Sequence, residues 1–274
     1  MMALRGDRRW FRASGAVLCV VACWWAGGCA GSSYGVAPAG DIRTVSDQSD
    51  AERRARVRLE LASAYFSQGQ LTTALDELKQ SLAIFPQLPD GLNLRGLIYA
   101  GLLQFALAED SFERALALAP DDGHILHNQG WFLCQRGRHA EAQQAFDKAL
   151  AQPLYREVSK TRLAQGVCLG QAGQEDQAIR VLSAAYDRDP GHPALAVNLA
   201  NLLARRGQYE RAAFYIRRVN QQAAWLSAQT LWLGARIERG LGHADASAEL
   251  LQRLRRQFPH TTESLAAERG AFDE

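Results

Sequence analysis

The stretch NQGWFLCQRGRHAEAQQAFDKAL, residues 128–150, decides the fold. Gly130 precedes the large apolar Leu133 by three positions, so the two share one face of a helix. Gly137 then marks a turn, where glycine tolerates a positive φ that its neighbours would not. Ala142 begins a second small-then-large pair, four residues ahead of Phe146, and Ala149 continues the same face. A small side chain lets two paired helices approach closely, and the large one fills the space beside it.

Read outward in both directions, the register returns. First-helix pairs recur as Ala62 and Tyr65, Gly96 and Tyr99, Gly166 and Leu169, Ala200 and Leu203, and Gly234 and Ile237. Second-helix alanines recur at Ala74, Ala108, Ala178, Ala212 and Ala246, each four residues before a large apolar residue. The offset is 34 residues, except that the fourth unit arrives two residues late, after a linker containing Pro153, Leu154 and Tyr155. Pro86, Pro120 and Pro190 stop second helices because proline cannot donate the next backbone bond, and Pro259 does so one place late. The second unit has a leucine-containing break in place of a turn glycine. Six such units resemble the tetratricopeptide repeat (TPR). The resemblance implies an all-α, right-handed superhelical solenoid of helix-turn-helix repeats over residues 52–260, followed by a cap or tail at 261–274. One unit alone cannot bury its apolar face; stacking six makes a continuous core.

The beginning of the chain is a different material. Arg5, Arg8, Arg9 and Arg12 precede an apolar run over residues 13–25, and Ala26, Gly27, Gly28 and Cys29 follow, which reads as a secretory signal over residues 1–28. Thirteen helical residues cover only about 20 Å, short of the roughly 30 Å hydrocarbon core, so the run is too short to span. The segment ending at Cys29 resembles a bacterial lipobox, with Cys23 as a competing position; cleavage there would leave Trp24 and Trp25 on the mature end. Acylation at Cys29 makes a membrane anchor, and Ala30 after it, by resemblance to sorting rules, points to the outer membrane. Residues 29–51 are rich in Gly, Ser, Ala, Pro and Asp and read as a flexible tether with a reach of about 25 Å.

Composition narrows the function. At 47% hydrophobic residues the chain is no disordered polypeptide. The formal charge of +2 reflects the leader: without residues 1–28 there remain 27 basic and 28 acidic side chains, so no basic excess argues for nucleic acid. No nucleophile, base and oxyanion donor converge, so neither an enzyme nor a small-molecule substrate or cofactor is expected. His124 and His127 offer two ligands, which do not make a metal site; they read as the exposed face of a helix capped by Asp121 or Asp122. Cys134 and Cys168 lie two slots apart in the repeat, which predicts side chains pointing apart as buried thiols, a disulfide in an oxidising compartment being the alternative. A carboxylate clamp built from Lys160, Asn198, Asn201 and Arg205 is incomplete, because neighbouring slots hold Leu163 and Val167.

Slots 2, 5, 9 and 12 of each first helix are expected on the concave side. They place Leu59, Ser63 and Phe66, then Asn93, Leu97 and Ala100, then His127, Trp131 and Cys134 in a groove that is apolar for a solvent-facing surface. The partner groove is therefore assigned to Leu59, Phe66, Asn93, Leu97, His127 and Trp131, with an amphipathic helix or an extended peptide as the ligand.

The chain also resembles the type IV pilus biogenesis and stability lipoproteins of the PilF/PilW family. Residues Asn128 to Cys134 are similar to the family's Asn-x-Gly-x-Phe-Leu segment, the linker at Pro153 to Tyr155 looks like its two-residue insertion, and the last unit resembles its closing repeat. The resemblance covers residues 52–260, departing at Ala26 in the lipobox and at Arg95. It implies an outer-membrane lipoprotein facing the periplasm, a pilotin whose groove holds the outer-membrane secretin of the pilus system and promotes its localisation and multimer assembly. The alternative is another periplasmic TPR lipoprotein scaffold, serving peptidoglycan enzymes or outer-membrane protein assembly.

Overall fold

The computed structural model describes residues 48–270, which contain thirteen α-helices and no strand. Twelve of these pair as helix-turn-helix units: α1 (Asp50–Ser67) with α2 (Leu71–Ile84), α3 (Pro89–Gly101) with α4 (Phe105–Leu118), and α5 (Gly123–Gln135) with α6 (His139–Ala151). Then follow α7 (Val158–Gln171) with α8 (Glu175–Arg188), α9 (Pro193–Arg205) with α10 (Tyr209–Asn220), and α11 (Ala228–Gly240) with α12 (Ala244–Gln257). A last helix, α13 (Thr262–Arg269), packs on α11 and α12. Each second helix contacts the first helix of the next unit, so the units stack as a TPR solenoid.

The small-large register is the packing device. Leu78, Phe112, Phe146, Leu182 and Ile216 are fully buried, one in each of the first five second helices. Glycine is needed opposite the largest of them: a Cβ on Gly130 would stand 2.8 Å from the Phe146 ring. Each of these buried side chains contributes roughly 1.5–3 kcal/mol, alongside first-helix residues such as Ile98, Ile125 and Leu199 that are buried as fully. In the sixth unit the equivalent Leu250 is only partly buried, and it joins Leu254, Ala266 and Ala267 in a terminal cluster that α13 helps to close.

Local signals set the helix ends. Ser49 caps α1 through Glu52 N–H at 3.1 Å, and Asp122 accepts from the backbone of His124 and Ile125 at the start of α5. Ser227 and Thr230 form a capping box on α11. Pro86, Pro120, Pro190 and Pro259 each stand immediately after the C-cap residue of a second helix. The leader, the tether up to residue 47, and both Cys29 and Cys23 fall outside the described residues.

Unit four enters out of step, and the inserted linker shows why. Tyr155 turns inward to join Leu126 and Ala149, and its hydroxyl lies 2.6 Å from Thr161 Oγ1. Burial pushes the Tyr155 hydroxyl pKa up, so it stays a phenol. Leu154, the residue before it, is exposed to solvent.

Candidate functional site: the first-helix face of units one to four

Helices α1, α3, α5 and α7 lie side by side, and a seam of polar and covalent contacts joins them. Arg56 Nη1 and Asp90 Oδ2 are 3.2 Å apart between α1 and α3. Asn128 donates to Asn93 at 3.1 Å between α3 and α5, and His127 Nδ1 meets Thr161 Oγ1 at 2.8 Å between α5 and α7. Cys134 and Cys168 close the same seam as a disulfide with a Cα separation of 5.7 Å. This corrects the expectation of two separated thiols. Adjacent helices in a stack meet through opposite faces, so residues at one shared slot point the same way, whereas residues at different slots can face each other.

The same geometry corrects the groove. Leu59 is 8% exposed and belongs to the core of unit one, and His127 is 7% exposed against the Phe146 ring; neither lines an open surface. Asn93 is half-buried and spent on Asn128. All three occupy slot 5, which a 100° step per residue places within about 20° of slot 12, on the side turned toward the seam. Cys134, at slot 12, is buried for the same reason, while Phe66 at that slot stays half-buried. His127 therefore does not sit on an exposed helix face with His124; burial, with Lys160 and His124 nearby, lowers its pKa to about 4 and keeps it neutral.

Slots 2 and 9 lie about 40–60° further round, toward solvent. Slot 9 brings Ser63, Leu97, Trp131 and Val167 into a row, of which Leu97 and Trp131 pack on one shared cluster. Slot 2 brings Arg56, Asp90, His124 and Lys160 into a parallel polar row. The open surface is thus an apolar strip edged by charge, a chemistry that suits an amphipathic polypeptide segment. Of the six residues assigned to the groove, Leu97 and Trp131 stand in this strip and Phe66 at its edge; Val167 extends it, legible as the 34-residue register carried across the two-residue insertion.

Other candidates resolve differently. Asn198 is bound to the Ala194 carbonyl at 2.8 Å and Arg205 pairs with Glu175 at 2.6 Å, while Asn201 and Arg205 line a concavity that includes neither Asn198 nor Lys160. Ligand atoms of Cys134, His139 and Cys168 lie within 4.8 Å of one another, but the two sulfurs are bonded to each other and leave one imidazole as a donor.

Comparison with known proteins agrees with this architecture. Tetratricopeptide-repeat family profiles match residues 62–102, 93–155 and 171–231. The type IV pilus assembly protein PilF of Pseudomonas aeruginosa is 24% identical over 229 residues, which span 84% of this chain and 90% of that one. The crystal structure of PilW, a type IV pilus biogenesis factor, superposes with a TM-score of 0.72 at 30% identity, covering 78% of this chain and 98% of that one. The Pseudomonas aeruginosa PilF structure superposes with a TM-score of 0.69 at 23% identity, covering 81% and 100%. A six-unit TPR stack, the late fourth unit and this likeness along the whole of PilW together make the chain a member of the PilF/PilW family of type IV pilus biogenesis TPR proteins.

Proposed function

We propose that the protein is an outer-membrane lipoprotein, acylated at Cys29, that binds the secretin of the type IV pilus system in its TPR groove and promotes the localisation and multimer assembly of that secretin. The observation that carries this reading is the apolar strip of Leu97, Trp131 and Val167 on the open first-helix face, in a chain of the PilF/PilW family. A strip edged by Arg56, Asp90, His124 and Lys160 favours a segment with one apolar and one polar side, and binding would stabilise whichever secretin conformation presents it. The acyl chains supply position, since several of them at about 0.8 kcal/mol per buried methylene anchor a protein far more firmly than one chain does. The groove supplies selectivity and needs no chemistry, in keeping with a family of protein-interaction scaffolds.

The test is affinity purification from cells carrying Leu97→Glu with Trp131→Glu. The secretin is expected with the parent protein and absent with the variant, while helical circular dichroism is retained. Secretin recovered equally with both proteins would refute the groove, and recovery of a peptidoglycan hydrolase or an outer-membrane insertase in its place would favour a different envelope scaffold. Labelled palmitate should enter the parent protein and not Cys29→Ala.

A further inference from the structure

We infer that the crevice between α7 and α8 is a second binding site, and that its ligand is an acidic polypeptide segment. The crevice has a volume of about 500 Å³ and holds three guanidinium groups, Arg162, Arg180 and Arg188, with Val158, Val181 and Ala184 as apolar wall. No carboxylate lines it. None of the three arginines has an ion-pair partner among the described residues; Arg162 donates only to the neutral Gln165 amide, at 2.7 Å.

Two other crevices in the stack carry both signs. The one framed by α4, α5 and α6 sets Glu109, Glu113 and Glu141 against Arg138 and Lys148, and Arg138 is paired with both Glu109 and Glu141. The one framed by α10, α11 and α12 sets Glu238 and Glu249 against Arg217 and Arg253, with Arg217 on Glu238 at 2.6 Å. The concavity framed by α9, α10 and α11 also gathers arginines, Arg205, Arg236 and Arg239, with no lining carboxylate, but there Arg205 is paired with Glu175 at 2.6 Å, whereas in unit four all three lining arginines are without an ion-pair partner among the described residues. Their mutual repulsion is relieved by a bound anion, and a guanidinium takes a carboxylate bidentately. Apolar wall beside the charges selects a ligand that brings an aliphatic side chain along with its carboxylates, and a concave site admits a polypeptide loop or helix edge more readily than a planar bilayer surface. The site lies apart from the strip of Leu97 and Trp131 and is independent of what that strip binds.

The test uses fluorescence anisotropy of the full chain with a labelled hexapeptide, Glu-Leu-Glu-Glu-Leu-Glu, blocked at both ends, and its Gln-for-Glu counterpart. The acidic peptide should bind, with affinity falling as salt rises, and the Gln peptide should not. Arg180→Glu and Arg188→Glu, both at exposed positions, should each weaken binding at least about tenfold with unchanged circular dichroism, the scale expected for a charge-assisted contact. Arg255→Glu, at an exposed position on α12, should leave affinity unchanged. Absence of binding at about 1 mM peptide, equal loss in Arg255→Glu, or equal binding of the Gln peptide would each overturn the assignment. So would binding to phosphatidylglycerol vesicles that Arg180→Glu abolishes in a protein that ignores the peptide, which would reassign the arginines to lipid phosphate.

Discussion

Leu103 stands where other units carry a turn glycine, and it adopts a φ of 60°. Gly69, Gly137, Gly173, Gly207 and Gly242 hold the equivalent position at φ between 68° and 77° without a Cβ penalty. The leucine side chain recovers little by packing, since it is 70% exposed. Leu103→Gly is therefore expected to stabilise the protein by about 0.5–1 kcal/mol, the left-handed penalty of about 1–2 kcal/mol less the entropy of a more flexible unfolded chain. A urea midpoint that falls on substitution would contradict this. His127 gives a second test at this scale, and its sign follows from linkage. Its folded pKa of about 4 lies below the ordinary value of 6.5, so between those values the unfolded chain binds more protons and stability drops as pH falls. Acidification from pH 7 to 4 should cost on the order of 2 kcal/mol through this residue, and His127→Asn should flatten that part of the urea-midpoint profile. An identical slope in parent and variant would show that the imidazole titrates normally.

Among the elements, α5 and α7 carry an unusual burden. The linker between units three and four, residues 152–157, is longer than the 85–88, 119–122 and 189–192 linkers, so local chain connectivity constrains this junction less than those. The disulfide spans it, joining residues 34 apart in sequence, and the buried cluster of Tyr155, Thr161 and His127 fills the space beside it. Closing a loop of that length is worth about 3–4 kcal/mol in the chain-entropy view. Cys134→Ser with Cys168→Ser should lower the urea midpoint accordingly, and amide exchange should rise in α5 to α7 before it rises in the outer helices. The reduced parent protein should behave like the double variant; a parent protein insensitive to reductant would show that packing alone holds the junction. A different clamp closes the other end of the stack, where buried Glu238 on α11 accepts from Arg217 of α10 at 2.6 and 2.7 Å and meets His243 at 2.9 Å. Those contacts hold the Glu238 carboxyl below the usual carboxylate range, the Arg217 hydrogen bond above all.

At the scale of the whole molecule, the solenoid separates what repetition dictates from what stacking dictates. Period, helix pairing, turn glycines and proline stops were legible because each rests on contacts within about 34 residues, and a short window of chain contains its own partner. The apolar row through Leu97 and Trp131 was legible for the same reason. Which way slots 5 and 12 point was not, because that angle is set when one first helix lies against the next. Leu59 and His127 went to the interior and Cys134 to Cys168 through a rotation of a few tens of degrees that no single unit encodes. The positive crevice of unit four likewise exists only once α7 and α8 pair and bring Arg162 beside Arg180 and Arg188. By itself the sequence determined the unit, the number of units and where the register slips, since spacing along one chain fixes which residues share a helix face. Only the tertiary structure decided which of those faces meet and which stay open, because the roll of one helix against its neighbour is a property of the stack.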